Sequence, residues 1–167
     1  MRKPLKLFLQ VMGLFSLASL CSCFSSSSIF VKYLSKDVLD QATEVVLRRS
    51  SGALAPEYHW DECYRVTQDS IHVLVRGSYG SQVLADNGIA ITSEQYTRFV
   101  KQLLDYGIGE SKKKVEPTSG GKTIVFEVLK GETSTFKAAN DLLVVDQGDL
   151  LNPFTELMSQ EMIDSLH

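Results

Sequence analysis

Tyr58-His-Trp-Asp-Glu-Cys-Tyr-Arg-Val-Thr67 and Ser70-Ile-His-Val-Leu-Val-Arg76, separated only by Gln68 and Asp69, decide the fold class of this chain. In the second stretch Ile71, Val73 and Val75 alternate with Ser70, His72, Leu74 and Arg76, the period of a strand with one wet face. In the first, Trp60, Glu62, Tyr64 and Val66 fall on one side, and His59, Asp61, Cys63, Arg65 and Thr67 on the other. A two-residue connection makes the two an antiparallel hairpin. Strands of a parallel sheet, buried on both faces, would read as unbroken apolar runs instead.

Working outward, Thr43-Glu-Val-Val-Leu-Arg-Arg49 is β-branched and stops at Ser50-Ser51-Gly52, a further strand. Residues 29–42 fit a helix through Leu34, Val38, Leu39 and Ala42 and equally a strand through Ile29, Val31 and Tyr33. Downstream, Gly77–Gly80 breaks the chain, Val83–Ala85 pairs briefly, and Asp86-Asn87-Gly88 reads as a tight turn. Thr92 with Gln95 three residues on makes a capping box. Tyr96, Phe99, Val100, Leu103 and Leu104 follow on one helical face, with Gly107 and Gly109 expected to close the helix. Lys112-Lys113-Lys114, Pro117 and Ser119-Gly120-Gly121 form a loop. Lys122–Lys130 is a strand, Gly131-Glu132 a turn, and Thr133–Ala138 and Leu142–Val145 are further β segments. Asn152 as cap and Pro153 at the first position open a closing helix with Phe154, Leu157, Met158, Met162 and Leu166 as its stripe. The predicted class is α+β: an antiparallel β-sheet with two amphipathic helices packed on one face, forming a single domain over residues 31–167.

Composition agrees. The chain has 167 residues, 44% hydrophobic and 22% charged, which suits one globular unit and excludes wholesale disorder. A net charge of −3 lacks the basic footprint of a nucleic-acid binder. No internal repeat is present.

The first 22 residues read as an address rather than as fold. Arg2, Lys3 and Lys6 precede an apolar run from Leu7 to Leu20 (LFLQVMGLFSLASL). As a helix that run spans about 21 Å, short of the ~30 Å hydrocarbon core, so it reads as a signal peptide and not a membrane span. It ends in Leu20-Cys21-Ser22-Cys23, which resembles the lipobox of bacterial lipoproteins: a Leu three residues before the modified cysteine and a small residue directly before it. The resemblance implies lipid attachment at Cys23, through thioether-linked diacylglycerol and an N-acyl chain such as palmitate. It also implies export and anchoring in the bacterial envelope. No Asp follows Cys23, which favours the outer membrane, facing the periplasm. Phe24 and four serines, Ser25–Ser28, make residues 23–30 a tether with nothing to bury. Without residues 1–22 the charge becomes −6, which opposes electrostatic docking on anionic lipid; the acyl chains would do the holding. With Cys23 acylated, Cys63 is the one thiol left in the mature chain, so no disulfide forms within it.

Three patterns bear on chemistry. His59, Asp61 and Cys63 share a strand face and are of the residue types that hold zinc or make a Cys/His nucleophile pair. Same-face neighbours are ~6.5–7 Å apart along a strand, however, which is too far for three ligands on one metal. Ser119-Gly120-Gly121-Lys122-Thr123 has the tail of a phosphate loop, but Glu116 stands where the motif's first Gly belongs and a strand follows instead of a helix, so no nucleotide is expected. Scattered carboxylates such as Asp61, Glu62 and Asp69 define no acid/base pair, and His72 alternates with buried positions and so faces solvent. No catalytic residue, metal ligand or cofactor is assigned. The expectation is a non-enzymatic envelope lipoprotein, a structural module or one binding a protein or peptide partner. The alternative is a small secreted hydrolase or metal-dependent enzyme using His59, Asp61 and Cys63.

Overall fold

The hairpin forms as its alternation demands. β3 (Trp60–Val66) and β4 (Ser70–Gly77) pair antiparallel, with Tyr64 opposite Val73 and Val66 opposite Ile71. The computed structural model describes residues 31–52, 54–112, 122–159 and 162–163. The leader (1–22), Cys23 and its tether, the lysine loop beyond Lys112, Ser119–Gly121, Leu166 and His167 lie outside the described residues. The ambiguous segment before the first strand divides in two: β1 is Val31–Tyr33 and α1 is Lys36–Asp40. Then come β2 (Glu44–Ser50), the hairpin, β5 (Gln82–Ala90), α2 (Ser93–Asp105), β6 (Ile108–Ser111), β7 (Thr123–Lys130), β8 (Thr133–Ala139), β9 (Leu143–Val145) and α3 (Asn152–Thr155).

Six strands make the main sheet in the order β5-β4-β3-β2-β7-β8, antiparallel throughout, and β1-β6-β9 make a second, small one. A four-strand meander therefore runs from β2 to β5. The chain then passes through α2 and β6 and returns as β7 on the other flank of β2. Val45 and Leu47 of β2 face Val128 and Phe126 in register. With Tyr64, Val66, Ile71 and Val73 they form the floor of one continuous buried cluster.

Phe99 and Leu103 of α2 join that cluster, as does Phe154 of α3. The Phe99 and Phe154 rings meet edge to face at 5.1 Å, and Tyr64 lies 6.1 Å from Phe154. Burial of each such ring is worth roughly 1.5–3 kcal/mol, so this face supplies most of the driving force. The capping box is present: the Thr92 hydroxyl accepts from the Gln95 amide, and the Thr92 amide donates to the Gln95 side chain.

The fold is α+β in outline, with several corrections in detail. Asp86-Asn87-Gly88 is not a turn but the middle of β5, where Asp86 faces Leu74 and Gly88 faces His72. Turn-forming residues are tolerated there because β5 is an edge strand, and Asp86 Oδ1 is hydrogen-bonded to His72 Nε2 at 2.6 Å. Gly109 does not end α2. It lies in β6, where a Cβ would come 2.6 Å from Val31, so the glycine permits β1 to close on β6. Asn152 is not a cap: Leu151 holds that position, and Asp149 accepts from the Leu151 amide at 2.9 Å. Among the described residues the expected closing helix is interrupted: one turn at Asn152–Thr155, then helix again at Met162 and Ile163, with Phe154, Leu157, Met158 and Met162 all buried as the stripe required. The cover of the sheet's inner face thus combines one long helix, one short one and residues of the small sheet such as Ile108. No described helix is long and apolar enough to cross a membrane.

Candidate functional site

Among the described residues no helix covers the outer face of the main sheet, and register orders its side chains in rows. At the end where β2 finishes, one row reads Thr123, Ser50, Asp61, Arg76 across β7, β2, β3 and β4. The next row reads Val125, Arg48, Cys63, Leu74. A groove of about 490 Å³ opens over these two rows, bounded at its end by Tyr79 and Gly80. Arg48 is drawn out of its row toward Glu127 in the third, with Nη1 at 3.4 Å from Oε2. What remains of the second row is short and largely apolar, hence the depression.

The third row explains why this face holds its shape without a hydrophobic cover. Glu127 is 7% exposed and also reaches Lys137 at 3.5 Å. Arg65 pairs with Glu44 at 2.8 Å. Val46, flanked in register by Arg65 and Glu127, is fully buried in this charged row. Long charged side chains seal apolar area with their stems while the heads stay wet.

At the groove's end the backbone is strained. Ser78, Tyr79 and Gly80 have φ of 49°, 54° and 81°, three left-handed residues in succession, two of them with side chains. Each non-glycine residue there costs on the order of 1 kcal/mol, so something must hold the turn. The Tyr79 ring stacks on His59 at 3.9 Å, and its hydroxyl donates to the Leu54 carbonyl. The Ser78 amide donates to the carbonyl of His59 at 3.1 Å. Strand ends and loop are clamped together by this one aromatic pair.

The three residues singled out for chemistry are only partly gathered. His59 precedes β3 and is 8% exposed; its Nδ1 has no hydrogen-bond partner, the nearest acid being Asp61 Oδ2 at 3.6 Å. Asp61 lies in the first row of the groove and Cys63 in the second. Among the described residues no group of three or more His, Cys, Asp and Glu converges closely enough to hold a metal ion. His72 does sit on the outer face, but paired with Asp86 rather than alone.

Arg76, Ser50, Thr123 and Tyr79 escaped sequence reasoning because nothing in their local spacing marks them; only the cross-strand register brings them together. Arg76 faces Asp61 across the strand pair, yet makes no ion pair among the described residues. Behind the groove, on the inner side, Arg49 Nη1 meets Glu62 at 3.2 Å, and the Tyr64 hydroxyl donates to the same carboxylate at 3.2 Å. Burial, and then the Glu62 charge, push the Tyr64 phenol far above its ordinary range.

These features define an α+β domain with an uncovered antiparallel face and a mixed polar and apolar groove at one end of it. No family model matches the chain, and no curated protein or solved structure matches it either.

Proposed function

We propose that this chain is a lipid-anchored module of the bacterial envelope, held by acyl chains on Cys23, that binds a peptide segment of a partner protein in the groove of its outer sheet face. The observation that carries the binding half is the first cross-strand row. Asp61 and Arg76 stand side by side with opposite charges, Arg76 without an ion pair among the described residues, and two hydroxyls continue the row beside apolar Leu74 and Val125. An extended peptide offers complementary groups at this spacing: amides and charged side chains to the row, apolar side chains to Leu74 and Val125. Outer-membrane placement facing the periplasm follows from the lipobox resemblance and the absence of Asp after Cys23.

Panning a random displayed-peptide library against the purified protein tests the groove. Enriched sequences should lose binding to a charge-swapped Asp61→Lys, Arg76→Glu variant and retain it with Lys101→Glu on the far side of α2. Enrichment indifferent to the swap, or none at all, rejects the groove. Intact-mass spectrometry of the native protein, with Cys23→Ala as control, tests the anchor separately: the mass of the acyl groups should be present in one and missing in the other.

A further inference from the structure

We infer that the end of the molecule bearing the strained turn is a bilayer-contact surface, its exposed apolar side chains seated at the headgroup boundary. The inference rests on the lipid-anchored reading above. Among the described residues six large hydrophobic side chains are strongly exposed, and five of them gather here: Leu54, Tyr58, Tyr79, Val83 and Leu84, from 45% to 69% exposed. Their neighbourhood is fixed by the Tyr79 bond to Leu54, by the pairing of Val83 with Arg76, and by Leu84 lying over Gly77. Large apolar side chains gathered in this way at one end of a molecule mark an interaction surface.

Its chemistry suits lipid. Tyrosines with an apolar ring and a polar tip favour the membrane–water boundary, and aliphatic side chains beside them reach the acyl region. Tether length selects this occupant over a diffusing one. Seven residues separate Cys23 from Val31 at the start of β1, eight chain steps that span at most ~29 Å. A body of this size measures roughly 35 Å across, so it cannot leave the surface and must turn one side toward it. Covalent confinement keeps lipid at a high effective concentration that no free partner enjoys. The net charge of −6 is no obstacle, because insertion of uncharged side chains does not depend on it.

The test uses the full lipidated protein in phosphatidylethanolamine/phosphatidylglycerol vesicles whose acyl chains carry bromine. Trp60 is the single tryptophan, so a Trp60→Phe background accepts one reporter at a time. Val83→Trp places it in the patch, and Glu132→Trp places it in the β7–β8 turn at the opposite end of the sheet. The emission of Val83→Trp should shift to the blue and lose most of its intensity, while Glu132→Trp stays unquenched. Adding Tyr58→Ser and Leu84→Ser to Val83→Trp should restore much of the lost emission. Vesicle co-flotation with Val83→Trp unquenched, or both reporters quenched alike, overturns the contact surface and leaves the anchor standing. Failure to co-float, with no acyl mass, overturns the anchor and this inference together. A blue shift of Val83→Trp that grows with protein concentration and needs no vesicles assigns the patch to a second copy of the chain and rejects the lipid.

Discussion

On β4, Ile71, Val73 and Val75 are sealed among Phe99, Phe154 and Tyr64, while His72, Leu74 and Arg76, each one residue away, look onto a charged and partly open face. The same six strands thus carry two surfaces built on different physics. The inner face is held by area and shape, and any loss of volume is felt directly. The outer face is held by register, which sets Glu127 between two cations and Glu44 beside Arg65. Packing by area belongs to the first surface, and the proposed peptide groove to the second.

Substitutions can break or sharpen that division. Phe126→Ala on the inner face, where the ring is fully buried, should cost about 3–5 kcal/mol and lower Tm steeply in calorimetry. Glu127→Ala on the outer face should cost less, roughly 1–2 kcal/mol by urea denaturation, since its partners are half exposed and can turn to water. An equal loss at the two positions would erase the contrast. Thr92→Ala loosens the helix over the inner face by removing its cap, for about 1 kcal/mol. Arg76→Ala should change stability by under about 0.5 kcal/mol while abolishing peptide capture, because nothing in the fold leans on that guanidinium.

A pH titration separates the faces as well. The Tyr64 phenol has its pKa raised by burial and by Glu62, so the folded state keeps a proton that the unfolded chain releases near the ordinary value of 10.0. Its contribution is fully present below that pH and is lost as pH climbs above it. Urea midpoints measured upward from neutral pH should fall beyond pH 10, and less so in Tyr64→Phe.

What the sequence disclosed followed from periodicity and caps. The Trp60–Arg76 hairpin, the Thr92 capping box and the strand at Thr123–Lys130 each rest on local spacing, and each is present. Val83–Ala85 showed as a brief pairing, but the rest of β5 and all of β6 were concealed, for opposite reasons. Asp86-Asn87-Gly88 has the composition of a turn but gains a neighbour in β4 that no local rule records. Ile108–Ser111 is four residues long with Gly109 inside it, too short for a period to emerge, and becomes a strand only because β1 and β9 flank it. The groove was illegible for a related reason. Its first row takes one residue from each of four strands up to 73 positions apart, from Ser50 to Thr123, so the set exists only once pairing is known.

The rim of the sheet formed by β5 carries a separate consequence. Nine residues long, it ends the hydrogen-bonded array with Asp86 as its sole charge, no proline or lysine, and a register irregularity near Val75 as its other safeguard. Neutralising Asp86 would leave a ready template for stacking molecule upon molecule, and such a variant should fail by precipitating while still folded rather than by melting.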